Sequence, residues 1–242
     1  MMEWQDHGIL LTSRTHGESG AIISVLTAEH GRYAGIVRGG ASRRMKPILQ
    51  PGAGLALRWR ARLEEHLGTF AVEPTISRAD LLADRETLAG LNAVTTMAQL
   101  FLPEREPHPN HFAATVALLE AMRTDPAWPA RYILWEIDLL AAVGYRLSLQ
   151  SCAVTGAETG LAFVSPRTGA AVTAEAGAEW ADRLLPLPPF LRPEPSEVEI
   201  KAAHIREGFA LTGHFLQSWL CPALGVAQMP PARERLARAL SR

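Results

Sequence analysis

Apolar and polar positions alternate most strictly between Leu55 and Leu63. Leu55, Leu57, Trp59, Ala61 and Leu63 occupy the odd positions, with Arg58, Arg60 and Arg62 between them. Side chains on a strand point to its two faces in turn, so the pattern predicts a strand with one face to a core and an arginine ribbon outside. Apolar runs rich in β-branched residues predict further strands at 7–14, 21–27 and 32–38, and another at 68–73. Polar turns at 15–20 and 28–31 join the first three strands. A glycine-led loop at 39–47 separates the third strand from the fourth. Five short strands with a long loop after the third predict a small closed barrel, and the OB-fold is the five-stranded candidate.

The period changes after Pro74. Residues 78–102 are rich in Ala and Leu at helical spacing, with Ser77 as an N-cap and Pro103, Pro107 and Pro109 as stops. Asn110 can cap a second helix, in which Phe112, Val116, Leu119 and Met122 make one apolar face. Ala130 to Val143 is apolar nearly all round, which predicts a central buried helix ending at Gly144. An irregular stretch follows at 147–177, then a proline-rich strip at 186–195. Two last helices are predicted, from Ser196 to about Leu220 and from Pro231 to the end. The expectation is a two-domain α+β protein: an OB-fold barrel over residues 1–76 and a helical domain over 77–242.

Charge sharpens the picture. The chain carries 24 Lys+Arg against 25 Asp+Glu, yet no acid lies between Glu29 and Glu64. That interval holds Arg32, Arg38, Arg43, Arg44, Lys46, Arg58, Arg60 and Arg62. A local basic surface on a neutral protein is the footprint of a polyanion partner, most often nucleic acid. The loop with Arg38, Arg43, Arg44 and Lys46 is the leading candidate site, since glycines let backbone amides approach phosphates and the side chains supply charge. The Arg58, Arg60 and Arg62 ribbon is the second. Aromatic platforms are sparse: Tyr33, Trp59 and Phe70 are available, and the alternation puts Trp59 in the core, so binding is expected to lean on charge rather than stacking. The acidic N-terminus is not a secretory signal, and the run from Tyr132 to Val143 is too short to span a bilayer. A cytoplasmic, nucleoid-associated protein is expected.

No residue set makes an enzyme. Gly17-Glu18-Ser19-Gly20-Ala21 lacks the last glycine of a nucleophile elbow and sits in a turn. His108 and His111 read as surface histidines, and Glu136 and Asp138, two apart on a helix, point to different sides. Cys152 and Cys221 are the only cysteines, which excludes a disulfide framework and leaves a cysteine zinc site short of ligands. No cofactor or metal is expected.

Over its whole length the chain resembles the RecO recombination mediators of bacterial DNA repair. The likeness rests on Gly8-Ile9-Leu10-Leu11, Leu26-Thr27-Ala28-Glu29-His30-Gly31, Arg38-Gly39-Gly40-Ala41, Leu49-Gln50-Pro51, the run from Leu139 to Leu147, and Cys152-Ala153-Val154-Thr155-Gly156. The resemblance implies an OB-fold joined to a helical domain, without catalytic turnover. It implies binding of single- and double-stranded DNA and annealing of complementary strands coated with single-stranded-DNA-binding protein (SSB). It further implies action with RecR to help load RecA in the RecF pathway, RecF and RecA being indirect partners, with no membrane role. The SSB tail, acidic and apolar, would be received by the helical domain, for which a groove near Arg131, Arg146 or Arg206 is the candidate. Many members carry two Cys-x-x-Cys pairs. Here Cys152 is followed by Thr155, and 169–177 has no cysteine, so a zinc-free remnant of a zinc finger at about 148–177, packed by Leu161, Phe163, Val164 and Val172, is expected. Two readings from other classes stand beside this one: an OB-containing RNA-binding module, and an interaction scaffold that does not bind DNA directly.

Overall fold

The computed structural model describes residues 2–63, 65–193 and 198–240. Five strands, β1 (Met2–His16), β2 (Gly20–Thr27), β3 (Gly31–Val37), β4 (Gly54–Ala61) and β5 (Thr69–Ile76), form a closed barrel in the order β1-β2-β3-β5-β4. Closure comes from β4 pairing back onto β1, from Met2 opposite Ala61 to Ile9 opposite Gly54. The first strand is therefore longer than the apolar run at 7–14. Its polar N-terminal half is an edge completed by β4, which no local hydrophobic signal announces. The fold is the OB-like barrel followed by helices that the sequence predicts.

Alternation on β4 holds as read. Leu55, Leu57, Trp59 and Ala61 are buried while Arg58 and Arg60 are exposed. Leu63 departs from the expectation: it is 46% exposed, because β4 ends at Ala61 and no sheet enforces alternation beyond it. Gly35 faces the interior, where a Cβ would lie 2.5 Å from the Phe70 ring, so the missing side chain makes room for that ring.

The β1 and β2 interiors are buried on both faces. Leu10, Ile23 and Val25 join the barrel core, while Ile9, Leu11 and Leu26 are buried outside it. A bulge between Leu10 and Thr12 re-aims the chain there. Helix α1 (Arg85–Phe101) packs on β1 and α2 (Pro109–Thr124) on β2. β5 ends at Ile76, and the compact unit continues to Thr124 because these two helices cover the barrel's flank. Arg32 ties the connection: its Nε–H donates to Leu102 O at 2.8 Å and its Nη1 lies 2.9 Å from Glu104.

Helix starts differ from the expected caps. The residue capping α1 is Asp84, whose carboxylate accepts from the N–H groups of Glu86 and Thr87 at 2.9 Å, and not Ser77, which precedes a short 3-10 turn at Ala79–Leu82. On α2 the buried face is His111, Thr115, Leu118, Leu119 and Met122, rotated from the expected one. His111 is thus a core residue at 1% exposure, not a surface histidine, and His108 is half-buried.

The second unit, residues 125–242, is built on α3 (Trp128–Ala142). Tyr132, Ile133, Leu139 and Leu140 are fully buried, as the central-helix reading requires, but Leu134 is 46% exposed. Strands β6 (Leu161–Val164), β7 (Ala171–Thr173) and β8 (Leu185–Pro186) make a small sheet in the order β7-β6-β8, with one helical turn, α4 (Ala174–Gly177), after β7. Within it Leu161, Val164 and Val172 are buried and Phe163 is half-buried. Helix α5 (Ala202–Phe215) runs through a π-turn (Leu216–Leu220) into the short α6 (Cys221–Ala223), and α7 (Pro231–Leu240) closes the described chain. The expected start of α5 at Ser196, like Pro195 before it, lies outside the described residues. Among the described residues no helix is long and apolar enough to cross a membrane.

Glu136 on α3 is the outlier of this unit. It is fully buried and meets Arg233 of α7 in a two-pronged pair, Nε to Oε1 at 2.7 Å and Nη2 to Oε2 at 2.9 Å. Arg233 Nη2 also donates to Phe209 O and Thr212 Oγ1 of α5, both at 3.0 Å, so one ion pair joins three helices.

Candidate nucleic-acid interface

Strand register sets the arginines in rows. On the outer face Arg60 lies between Glu3 of β1 and Thr69 of β5, and Arg58 between Gln5 and Ala71. Parallel pairing of β3 with β5 puts Ile36 opposite Thr69 and Val37 opposite Phe70, so Arg38 emerges on the far side of β5. Thr69 and Ala71 are small. Between the β4 arginines and Arg38 they leave a cleft of about 940 Å³, lined by Arg38, Arg58, Arg60 and Arg62 together with Val37, Met45, Ala61, Phe70 and Val72. Four of the sequence-predicted site residues are thereby brought together.

Arg43, Arg44 and Lys46 do not line this cleft. They are exposed on the 39–47 loop, which contributes Met45 to it. The loop is held by its own hydrogen bonds. Ala41 N donates to Ser19 O at 3.0 Å, Met45 N and Lys46 N both donate to Ser42 O at 3.1 Å, and Ile48 N and Leu49 N donate to Met45 O. Leu49 sits in the barrel core with Met45 and Ile48 packed against it. Its glycines serve the turn rather than a ligand. Gly39 adopts φ 69°, and Gly40 is buried with its N–H on Val37 O and its Cα against Ala21. The Gly40 amide is thus engaged within the turn.

Sequence reading missed a carboxylate in the arginine bank. Glu3 Oε1 lies 2.9 Å from Arg60 Nη2 and 3.6 Å from Arg58 Nε. It was invisible because it sits on a different strand, far along the chain from both arginines. Tyr33, Trp59 and Phe70 are all buried, at 5%, 1% and 4% exposure, so none can stack on a base. Trp59 Nε1–H instead donates to Leu67 O.

The remaining candidates separate clearly. In the second unit Arg146 lines a cleft of about 430 Å³ with Leu134, Ile137, Asp138, Ala141 and residues 147–150. Arg131 is paired with Asp125 at 2.6 Å, and Arg206 is exposed on α5; neither borders that cleft. Cys152 is buried beside Thr173, whose N–H donates to its Sγ at 3.4 Å. The Cys152 Sγ in turn lies 3.8 Å from Thr173 Oγ1. At the barrel, Asp6, Glu29 and His30 bring possible metal-ligand atoms within 4.8 Å of one another. The Asp6 carboxylate there already accepts from His7 N and Glu29 N and meets His30 Nδ1 at 3.1 Å. Burial pushes its pKa up, but those hydrogen bonds outweigh burial and hold it below the usual aspartate value.

Comparison with known proteins gives concordant results for both parts of the chain. Residues 1–77 match the family model described as Recombination protein O N terminal, and residues 82–224 that described as Recombination protein O C terminal. A DNA repair protein RecO of Cereibacter sphaeroides (strain KD131 / KCTC 12085) is 54% identical over 242 residues, covering 100% of both chains. That of Ruegeria sp. (strain TM1040) is 51% identical over 100% of this chain and 99% of its own. That of Paracoccus denitrificans (strain Pd 1222) is 49% identical over 99% of this chain and 97% of its own.

Proposed function

The chain belongs to the RecO family of DNA repair proteins, and from that premise we propose that it is a recombination mediator that grips DNA by its backbone. It binds single and double strands, anneals complementary strands coated with SSB, and acts with RecR to help load RecA. The observation that carries this reading is the arginine-lined cleft beside an ordered basic loop. Arg38, Arg58, Arg60 and Arg62 surround the cleft, and Arg43, Arg44 and Lys46 flank it on a hydrogen-bonded loop, with the Tyr33, Trp59 and Phe70 rings buried. Such a surface reads phosphates and not bases, so it accepts either strand form and any sequence. Annealing follows from the same charge, which screens the repulsion between two strands.

For the SSB tail the support favours Arg146 over Arg131 and Arg206. Only Arg146 borders a cleft that also presents apolar surface, from Leu134, Ile137 and Leu147, and an acidic, apolar tail needs both.

The test is fluorescence anisotropy of a labelled single strand of about 30 nucleotides across a salt series. If all seven cations engage, log K should fall with log salt at a slope approaching roughly −5. Reversing Arg43 and Arg44 to Glu should weaken binding and flatten that slope. No binding at low salt would sink the DNA reading and favour a scaffold, whereas RNA competing better than DNA of equal length would favour the RNA-binding module.

A further inference from the structure

Among the described residues, the acid that sits within the arginine bank is Glu3, and its geometry is that of a ligand. Glu3 stands directly opposite Arg60, and Gln5 opposite Arg58, so all four side chains share the outer face. One oxygen, Glu3 Oε1, reaches both guanidinium groups, at 2.9 Å from Arg60 Nη2 and 3.6 Å from Arg58 Nε. Both arginines line the cleft, and the three side chains are 36%, 50% and 49% exposed, in the order Glu3, Arg60, Arg58. A carboxylate oxygen that accepts from the Arg60 guanidinium and lies within ion-pair distance of Arg58 stands where a backbone phosphate oxygen would sit between the two.

We propose that Glu3 is a resident counter-ion occupying the phosphate position between Arg58 and Arg60, which an incoming strand must displace. This rests on the DNA-binding reading of the same face. Exchange of one monoanion for another leaves the charge of the pair unchanged, so Arg58 and Arg60 together release fewer salt ions than two uncommitted arginines. The carboxylate stays tethered on β1 beside the bound phosphate. It returns when the phosphate leaves, which weakens the grip and eases release of the strand. The pair is exposed, and exposed pairs of this kind contribute little to folding. Removing the carboxylate therefore leaves the barrel intact, and its effect is read in binding.

The experiment compares the full chain with Glu3→Gln, Arg58→Gln/Arg60→Gln, the triple variant and Glu73→Gln, by anisotropy of the labelled single strand over a salt series. Glu73 lies on the same outer face, on β5 opposite Ala56 and diagonal to Arg58, so its variant removes the same charge at a residue that does not sit between the two arginines. E3Q should tighten binding by about 1.5- to 5-fold at low salt, with a slope steeper by about 0.7 and a gain that fades as salt rises. Glu73→Gln should give a smaller gain, and E3Q should add nothing once both arginines are Gln. Unchanged or weaker binding by a folded E3Q protein, or an equal gain from Glu73→Gln, overturns the proposal. In both those cases weaker binding by the double arginine variant keeps the DNA-binding reading standing. If that double variant binds as tightly as the unaltered chain, the reading of this arginine bank fails as well.

Discussion

Replacing Arg233 with Met should destabilise the second unit and leave the first largely unaffected. Arg233 is 7% exposed and its partner Glu136 not at all, so R233M leaves an ionised or forcibly protonated carboxyl in the core. It also removes the donors to Phe209 O and Thr212 Oγ1. Breaking one side of a buried pair costs about 3–5 kcal/mol, because the surviving charge loses compensation it cannot recover from water. For a unit of this size that corresponds to a fall in melting temperature of roughly 10–25 °C. The pair as a whole is worth far less than its rupture, since attraction between the charges is offset by their removal from water. The double variant Glu136→Met/Arg233→Met should therefore recover most of the loss. Calorimetry of the full chain, with urea unfolding followed in parallel, reads both. A loss below about 1 kcal/mol in R233M, or a double variant as unstable as the single one, would refute the reasoning.

Three further outcomes follow from other parts of the molecule. Burial alone would raise the Cys152 thiol. Hydrogen bonds from the Thr155 hydroxyl and from the N–H groups of Thr173, Thr155 and Val154 outweigh it and bring the pKa down to about 6. Thiolate absorbance should titrate near that pH. The unfolded thiol holds its proton up to an ordinary value near 9, so this group adds stability as pH rises between those values and loses it as pH falls through 6. Cys152→Ala should flatten that dependence, and metal analysis of tag-free protein should find well below one zinc per chain. A fragment ending at residue 77 should aggregate, because Ile9, Leu11 and Leu26 lose the cover of α1 and α2, while one ending at Thr124 should melt cooperatively; equal behaviour of the two would refute that packing.

Most of the barrel was legible because its signals are local. The period-two pattern around Trp59 needs no knowledge of its neighbours, and neither does the glycine-led loop. What escaped depends on pairing across the chain. Met2 to Asp6 becomes a strand only because β4 is there to bond it, and Glu3 meets Arg60 only through that register. Nothing local marks Glu136 as half of a buried pair, since its partner lies 97 residues away in sequence. Unbroken apolar runs at Ile9-Leu10-Leu11 and Val25-Leu26 did carry a usable sign, because a strand buried on both faces does not alternate. They marked the flank where α1 and α2 dock. Of the seven predicted cations, Arg38, Arg58, Arg60 and Arg62 converge for a geometric reason that sequence does not hold: Thr69 and Ala71 on the strand between them are small.

The docking of α1 and α2 on the barrel also has a consequence in time. A ribosome that has just added Ile76 has supplied every strand of the barrel but neither covering helix. At ordinary synthesis rates the chain from there to Thr124 takes roughly 2–10 s to emerge. Throughout that interval the nascent barrel shows Ile9, Leu11 and Leu26 to water, and the arginine-lined cleft stands on a half-dressed scaffold. A chaperone that recognises short apolar strands should therefore meet this protein early, and let it go once α2 has closed over β2.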